Sequence, residues 1–394
     1  MAKGKTITSA SLIQEFREKE LSRRSLLRNT LAGSAGLAAA GLVGCATPGG
    51  PDGMGGILGV GGKADGDDGG SADAGVDGAF EDAGTAAHLV GMGWGETDDD
   101  YLAALDNALA ETIGLSFIQP GDTVYFKVNC NNGDLYPHST QPTLIRELAN
   151  RCRDLGATRI IVGDRSFWGD PNTAGNMEAN GVAGAARDAE AELYVFDDDT
   201  VDWVGFTEDQ APAWAGGFRL PLPVVEADHI INLPLVKTHF ITGFTMSLKN
   251  ALGLPHPLDR SRAGNLDVHR KPNIYHQSAE VNQYITPSLN ILDGFYALIT
   301  GGPTRREPPG PSYAEPRVFI ASTDRIATDV TGIAVLQTVS PDTEEVTQYH
   351  AWDNPQITAA VERELGITSP DQYDLSGPTV PDIETYRELA TASS

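Results

Sequence analysis

Lys63, Lys127, Lys237, Lys249 and Lys271 are the only lysines that the 394-residue chain carries beyond its first 44 residues. Three of them stand in short runs rich in Asn, Thr and Gly: Lys127-Val-Asn-Cys-Asn-Asn132, Lys237-Thr-His239 and Lys249-Asn250. An ammonium group is a compact positive charge with three donors, and asparagine amides add directed hydrogen bonds. Such runs suit the binding of a carboxylate or phosphate, with Lys127, Asn129, Asn232, Lys237, Thr242, Lys249 and Asn250 as candidate ligand-binding residues. Ordinary pairing with the many carboxylates of the chain is the competing reading for each lysine. A second constellation is histidine: His239, His256, His269 and His276 are four of the eight, with Asp267 and Asp293 near them in sequence. Imidazole and carboxylate together suit a general base or a metal site. Their spacings match no standard metal motif, so the metal stays unassigned, and exposed or core-satisfied histidines compete. His239 or His276 is the candidate acid/base or metal ligand, with Asp293 as orienting carboxylate.

Several familiar signals are absent. Gly91-Met-Gly-Trp-Gly95 does not make a GxGxxG fingerprint, and neither a Walker loop nor a GxSxG elbow occurs. Dinucleotide binding and α/β-hydrolase chemistry are disfavoured accordingly. Thr242 and Ser247, near His239, read as capping and hydrogen-bonding groups rather than nucleophiles.

The elements that must position these residues are strands and helices in alternation. Thr123 to Val128 is a β-rich run, and Thr140 is a helix N-cap candidate with Pro142 in the first turn. Leu144, Ile145, Leu148, Cys152 and Leu155 keep helical spacing up to Gly156, and Arg159 to Gly163 is the next strand. Strand, helix and strand with short links form a right-handed parallel unit. Apolar runs recur at Leu193 to Phe196, His229 to Leu233, Leu289 to Leu292 and Val318 to Ala321. Helical patterns cover Tyr101 to Ile113, Asn176 to Ala189, Phe244 to Leu252 and Asp324 to Val339. The alternation predicts an α/β fold, a doubly wound, mostly parallel sheet with helices on both faces. Ligands bind such sheets beyond the carboxyl ends of the strands, where Lys127, Asp164, Asp197, Asn232 and Asp293 fall. The expectation is that Lys127, Lys237, His239, Lys249 and His276 face one cleft.

The chain has 54 acidic against 28 basic residues, a formal net charge of -26, which argues against nucleic acid as a partner. The first 44 residues carry seven basic and three acidic groups, so they are +4 and the remainder is -30. Within them, Ser22-Arg23-Arg24-Ser25-Leu26-Leu27-Arg28 precedes an Ala/Gly-rich stretch too short to span a bilayer, which reads as a twin-arginine export signal. Leu42-Val43-Gly44-Cys45 resembles a bacterial lipobox that lipidates Cys45. Three segments are expected: 1–44 signal peptide with lipobox; 45–84 lipidated Cys45 and a disordered, acidic, Gly-rich linker; 85–394 a single α/β domain. Treated as a flexible coil, roughly 37 linker residues reach about 33 Å. The expected location is the periplasmic or extracytoplasmic face of the cell envelope, with the membrane as a partner through the lipid anchor only. Of the remaining cysteines, Cys130 at a strand end and Cys152 in the last turn of the following helix read as free thiols.

At this point the residues resemble a bacterial and archaeal family, the domain of unknown function numbered 362, over about residues 120 to 340. The likeness rests on Lys127-Val-Asn129, on Asn232-Leu-Pro-Leu-Val-Lys237-Thr-His239, and on Thr242-Gly243 leading to Leu248-Lys249-Asn250-Ala-Leu-Gly253. It continues through His276, Leu292-Asp293-Gly294, Gly301-Gly302-Pro303 and Ser322-Thr-Asp324-Arg-Ile-Ala-Thr-Asp329. The chain departs from the family pattern at Asn131-Asn132 and at Arg325, where the family favours Pro. Some members are joined to ferredoxin-type modules; their cysteines are missing here, so an iron–sulfur cluster is not implied. The resemblance supplies no reaction. The reading is therefore an exported, membrane-anchored lipoprotein whose α/β domain is an enzyme, or enzyme-like binder, for a small anionic substrate, with a metal ion as an open option. The competing class is a non-catalytic lipoprotein that captures a ligand or partner.

Overall fold

The Gly-Met-Gly sequence inside Val90–Trp94 (β1) shows how closely the layers meet. A Cβ on Gly91 would lie 2.2 Å from the Ala108 carbonyl oxygen, and one on Gly93 1.9 Å from that of Ala104. The backbone of helix Tyr101–Ala110 (α1) thus rests directly on the strand, and these glycines are a packing seat. The computed structural model describes residues 88–167, 172–197, 201–261, 273–303 and 310–394, with the backbone of Thr6 and Ile7. The expected twin-arginine motif, lipobox and linker lie outside the described residues.

Thr123–Lys127 (β2), Pro142–Asp154 (α2) and Arg159–Asp164 (β3) form the expected parallel unit, with Val124 opposite Ile160 and Lys127 opposite Gly163. Helix α2 starts on a proline, whose missing N–H costs nothing there. It buries Leu144, Ile145, Leu148, Ala149 and Cys152, and is followed by Gly156 at φ +101, a left-handed conformation that glycine adopts without strain. Thr140 is not its cap. Gln141 holds that position, while the Thr140 hydroxyl donates to the Leu233 carbonyl at 3.0 Å and accepts from the Asn129 N–H at 2.7 Å. The helix expected from Asn176 to Ala189 is two, Thr173–Ala179 (α3) and Val182–Asp188 (α4). Gly181 at φ +87 separates them, and the buried Asn180 amide bonds to the Asn132 carbonyl at 3.0 Å.

After Glu192–Val195 (β4) and the antiparallel pair Trp203–Phe206 (β5) and Phe218–Pro221 (β6), the chain returns to the sheet as His229–Asn232 (β7). Leu235–His239 (β8) and Gly243–Thr245 (β9) are a hairpin. The long helix expected over Phe244 to Leu252 is replaced by β9, the short helix Ser247–Asn250 (α5) and a tight turn at Ala251–Gly253. Pro257–Ser261 (α6), Asn273–Gln283 (α7), Leu289–Thr300 (β10), Ser312–Ala314 (β11) and Val318–Ser322 (β12) follow. Arg325–Val339 (α8), Pro355–Val361 (α9), Leu375–Ser376 (β13) and Ile383–Thr391 (α10) complete the elements used below.

The main sheet runs β13-β1-β12-β10-β7-β2-β3-β4, parallel except for β12, which is antiparallel to both β1 and β10. Side chains alternate between its faces. Val124, Phe126, Ile160, Val162, Ile231 and Ile291 pack under α1 to α4, whereas Tyr125, Ile161, Ile230 and Leu292 join the other core with α8 to α10. The fold is α/β, a mostly parallel sheet with helices on both faces. From β2 the chain winds outward to β3 and β4, then lays β7 on the other side of β2. That reversal opens the place where such sheets hold ligands, between β2 and β7 at their carboxyl ends.

Candidate functional site

Strand register brings Lys127 beside Asn232, and Asn232 beside Asn290, in one row across β2, β7 and β10. Lys127 is buried, and its ammonium donates to Asp164 Oδ1 at 2.8 Å, to the Val128 carbonyl at 2.7 Å and to Asn250 Oδ1 at 3.2 Å. Burial lowers its pKa, and Asp164 opposes that shift. All three protons are thus committed inside the protein. Lys127, expected to bind the anion, is instead part of the floor, because three acceptors already saturate it. Asp164 is equally engaged, accepting from the N–H groups of Cys130 at 2.7 Å and Arg165 at 2.8 Å.

From that floor a line of buried carboxamides crosses the sheet edge. Asn250 Oδ1 accepts from Asn129 Nδ2 at 2.9 Å, and Asn250 Nδ2 donates to Asn232 Oδ1 at 2.8 Å. Asn232 Nδ2 donates to the Ser247 hydroxyl and to Asn290 Oδ1, each at 3.0 Å, and that hydroxyl donates to the same Asn290 oxygen at 2.5 Å. At its other end Asn129 Oδ1 accepts from Lys237 Nζ at 2.6 Å, and Lys237 also donates to the His138 carbonyl at 2.9 Å. Asn129, Asn232 and Asn250 therefore hold the lysines in place.

Lys237 and Lys249 are the chemically poised pair. Burial lowers Lys237 to about 7, with the Lys249 charge as the next cause. Burial alone brings Lys249 to about 7. Lys249 is only half-buried, on α5, and has no hydrogen bond or ion pair among the described residues. Helix α5 is held from below by Asp329 of α8, whose carboxylate accepts from the N–H groups of Ser247 at 2.7 Å and Leu248 at 3.0 Å. Burial raises Asp329 to about 8, against those two bonds.

His239 lies two residues beyond Lys237 on β8, hence on the same face of the strand. Its Nδ1 accepts from the Ile241 N–H at 3.1 Å, and its ring stacks on Phe240 with centroids 5.1 Å apart. The other expected residues go elsewhere. Thr242 spends its hydroxyl on the Phe244 carbonyl at 2.9 Å, inside the β8–β9 turn. His276 meets Arg363 Nη1 at 3.3 Å, and Arg363 pairs with Glu280 at 3.1 Å; residues 276 and 280 are one helical turn apart on α7. The same helix reaches the site from another face, where Ser278 at 3.1 Å and Asn282 at 2.8 Å donate to the Leu248 carbonyl. Asp293 bonds to no histidine among the described residues: it accepts from Tyr101 at 2.6 Å, Tyr136 at 2.8 Å and the Phe295 N–H at 2.9 Å, and burial raises it to about 6. Among the described residues no three His, Cys, Asp or Glu side chains converge as a metal-ligand set.

Sequence reasoning missed Asn290 and Asp329 as site residues. Asn290 had a visible signal, a lone carboxamide inside the apolar run Leu289 to Leu292. Asp329 closes the quoted Asp324-to-Asp329 segment, and nothing local marks it as reaching α5.

Residues 124–334, more than half of the chain, match a family model described as a domain of unknown function, DUF362. The chain belongs to this family. The DUF362 match runs from β2 into α8 and so includes the lysines, the carboxamide line and Asp329. A curated relative, the "Thylakoid-associated protein sll1697" of Synechocystis sp., is 28% identical over 235 residues, covering 58% of this chain and 69% of the relative. Among solved structures, the lactate racemase apoprotein from Thermoanaerobacterium thermosaccharolyticum aligns with a TM-score of 0.39 and 11% identity, over 61% of this chain and 55% of that one.

Proposed function

We propose that this DUF362 chain is an enzyme acting on a small anionic substrate at the carboxyl edge of its sheet, with Lys249 as the amine that meets the substrate. The observation that carries this reading is the amine of Lys249, which has no hydrogen bond or ion pair among the described residues and whose charge helps to lower Lys237, beside the row of polar side chains at the topological switch point. Clustered ammonium groups raise each other's energy unless an anion compensates. An amine that titrates near neutrality also exchanges protons readily, which suits acid/base work on the molecule it binds. His239 is the second proton-carrying group on the same strand face, and Lys127 with Asn129, Asn232 and Asn250 are positioning residues.

The test is thermal unfolding of the full chain with phosphate, acetate and small carboxylates, since a ligand stabilises by RT ln(1 + [L]/Kd). Stabilisation that disappears in Lys249→Met supports the site; stabilisation unchanged in that variant overturns it. Consumption of a bound anion separates an enzyme from a lipoprotein that only captures its ligand.

The sequence supports a setting for this chemistry as well. The Arg23-Arg24 motif and the Leu42-Val-Gly-Cys45 box favour export by the twin-arginine route and anchoring at the extracytoplasmic face of the cell envelope through acylated Cys45. Two or three acyl chains, at about 0.8 kcal/mol per buried CH₂, give a stable anchor. The acidic balance disfavours nucleic acid as a partner.

A further inference from the structure

Arg260, on α6, is 5% exposed, and only one part of its guanidinium is accounted for: Nη1 donates to the Leu252 carbonyl at 3.3 Å. Its Nε and Nη2 atoms are shut away from solvent without a hydrogen-bond acceptor among the described residues. These two N–H groups lie on one edge of the guanidinium, the parallel fork that grips both oxygens of a carboxylate or phosphate.

The carboxylates in the neighbourhood are engaged elsewhere. Asp259, next in the chain, takes Arg219 through both oxygens at 3.0 Å. Asp164 holds Lys127, and Asp197 pairs with Arg165 Nε at 3.3 Å while accepting from the Thr173 hydroxyl. The surroundings are otherwise of like charge. Burial, and then the charge of Arg165, pull Arg260 down to about 9, and its own charge weighs on Lys127. A buried cation with two N–H groups left without acceptors is costly unless a counter-ion arrives.

The place of this fork relative to the lysines is set by the turn after α5. Leu252, which holds Arg260, adjoins Gly253, where a Cβ would come within 2.6 Å of Asp164 Oδ1 and 3.1 Å of Lys127 Nζ. Lys249 stands three residues before Leu252 on the same helical run. Lys249 and the carbonyl that holds Arg260 Nη1 thus belong to one short run of backbone.

We infer that Arg260 forms a second anion subsite beside Lys249, and that the substrate is a small molecule with two anionic groups, one for the Arg260 fork and one for the lysine pair. This rests on the lysine site proposed above and adds the second charge and a residue to it. Arg260 contributes no proton chemistry; it fixes which end of the substrate lies against Lys249.

The experiment uses the full chain, with malonate, succinate and glutarate as dianionic probes and succinamate as a monoanion of matched size. The wild type is expected to bind at least one dicarboxylate ten-fold or more tighter than succinamate. Arg260→Lys, which keeps the charge and loses the fork, and Arg260→Met should erase that preference and leave succinamate binding unchanged, while Lys249→Met weakens all four probes. A dicarboxylate preference that survives in Arg260→Met overturns the second subsite and leaves the lysine site standing. Loss of no probe in Lys249→Met overturns the lysine site itself. Independently of any probe, ligand-free Arg260→Met should unfold at a higher temperature than the wild type, because it removes a buried charge with two N–H groups left without acceptors; a lower one would make Arg260 a structural residue and overturn the inference.

Discussion

Asp329 caps, from another helix, the turn that carries Lys249: its carboxyl oxygens accept the Ser247 N–H at 2.7 Å and the Leu248 N–H at 3.0 Å. A helix of four residues cannot stand on its own propensity, so this bond pair sets where the amine sits. Burial raises Asp329 to about 8, whereas an unfolded aspartate titrates near ~3.9. Between those values the folded chain retains a proton that the unfolded chain releases, so stability falls as pH rises through the window. Asp329→Asn has no proton to lose. Its stability relative to wild type should therefore improve by up to about 1.4 kcal/mol per pH unit from pH ~4 to 8, as read by urea unfolding at several pH values. A pH-independent difference between the two proteins would contradict the assigned titration.

Asn250 is the junction of the carboxamide line, accepting from Lys127 and Asn129 and donating to Asn232 and to the Lys127 carbonyl. Asn250→Ala strands several buried polar groups at once, each at a cost of about 1–3 kcal/mol. The expected loss is roughly 3 kcal/mol or more. Thr242→Ala removes one hydroxyl bond to a turn carbonyl and should cost about 1 kcal/mol. Equal losses in chemical denaturation would deny Asn250 its central place.

Much of this frame was readable in the residues. The strand-helix-strand unit from Thr123 to Asp164 shows because α2 has one apolar stripe, the first strand is β-branched and aromatic and the second is β-branched, so local pattern and tertiary position agree. The segment from Phe244 to Leu252 misled for the opposite reason. Its apolar spacing fits a helix, but Gly243 at φ +83 turns the chain into a hairpin with β8, and Asp329, more than seventy residues away in sequence, starts the helix only at Ser247. Within the site, the lysines and asparagines are conspicuous because lysine is so scarce in an acidic chain. Which lysine is free is not written locally: Lys127 and Lys249 both precede or neighbour Asn residues, yet one has three acceptors and the other has none among the described residues. His276 and Asp293 drew attention by residue type, and only long-range partners, Arg363 and the two tyrosines, reveal their other roles.

The two histidines should separate cleanly. His276→Ala disturbs the Arg363–Glu280 pair and should leave anion-induced thermal stabilisation within error of wild type. His239→Ala, on the strand face of Lys237, should change it or its pH profile. Loss of anion stabilisation in His276→Ala would return that residue to the site.

Export and anchoring are tested in the native host. Cys45→Ala should move the chain from the membrane to the soluble fraction, and Lys at both Arg23 and Arg24 should block export. Membrane partition that persists without Cys45 would remove the lipid anchor, and continued export of the double Lys variant would point to the general secretory route.

Lys249 should reveal itself by the sign of its pH effects. Burial holds its folded pKa at about 7, against ~10.4 for a free lysine, so below ~10.4 the unfolded chain binds a proton that the folded chain resists. That proton costs the folded state progressively as pH falls from ~10 to 7, and the cost is constant below 7. Lys249→Met should therefore be more stable than wild type at neutral pH, with an advantage that shrinks to nothing as pH approaches 10. Anion binding has the reverse dependence. A bound anion requires the ammonium form, so wild-type affinity for a small carboxylate should be flat below pH 7 and weaken up to about ten-fold per unit above it. Lys249→Arg keeps the charge across that range and should bind with little pH dependence from this position. Titration calorimetry at pH 6, 7, 8 and 9 reads both trends, and an affinity that stays level through pH 9 in the wild type would show that the charge on Lys249 does not meet the ligand.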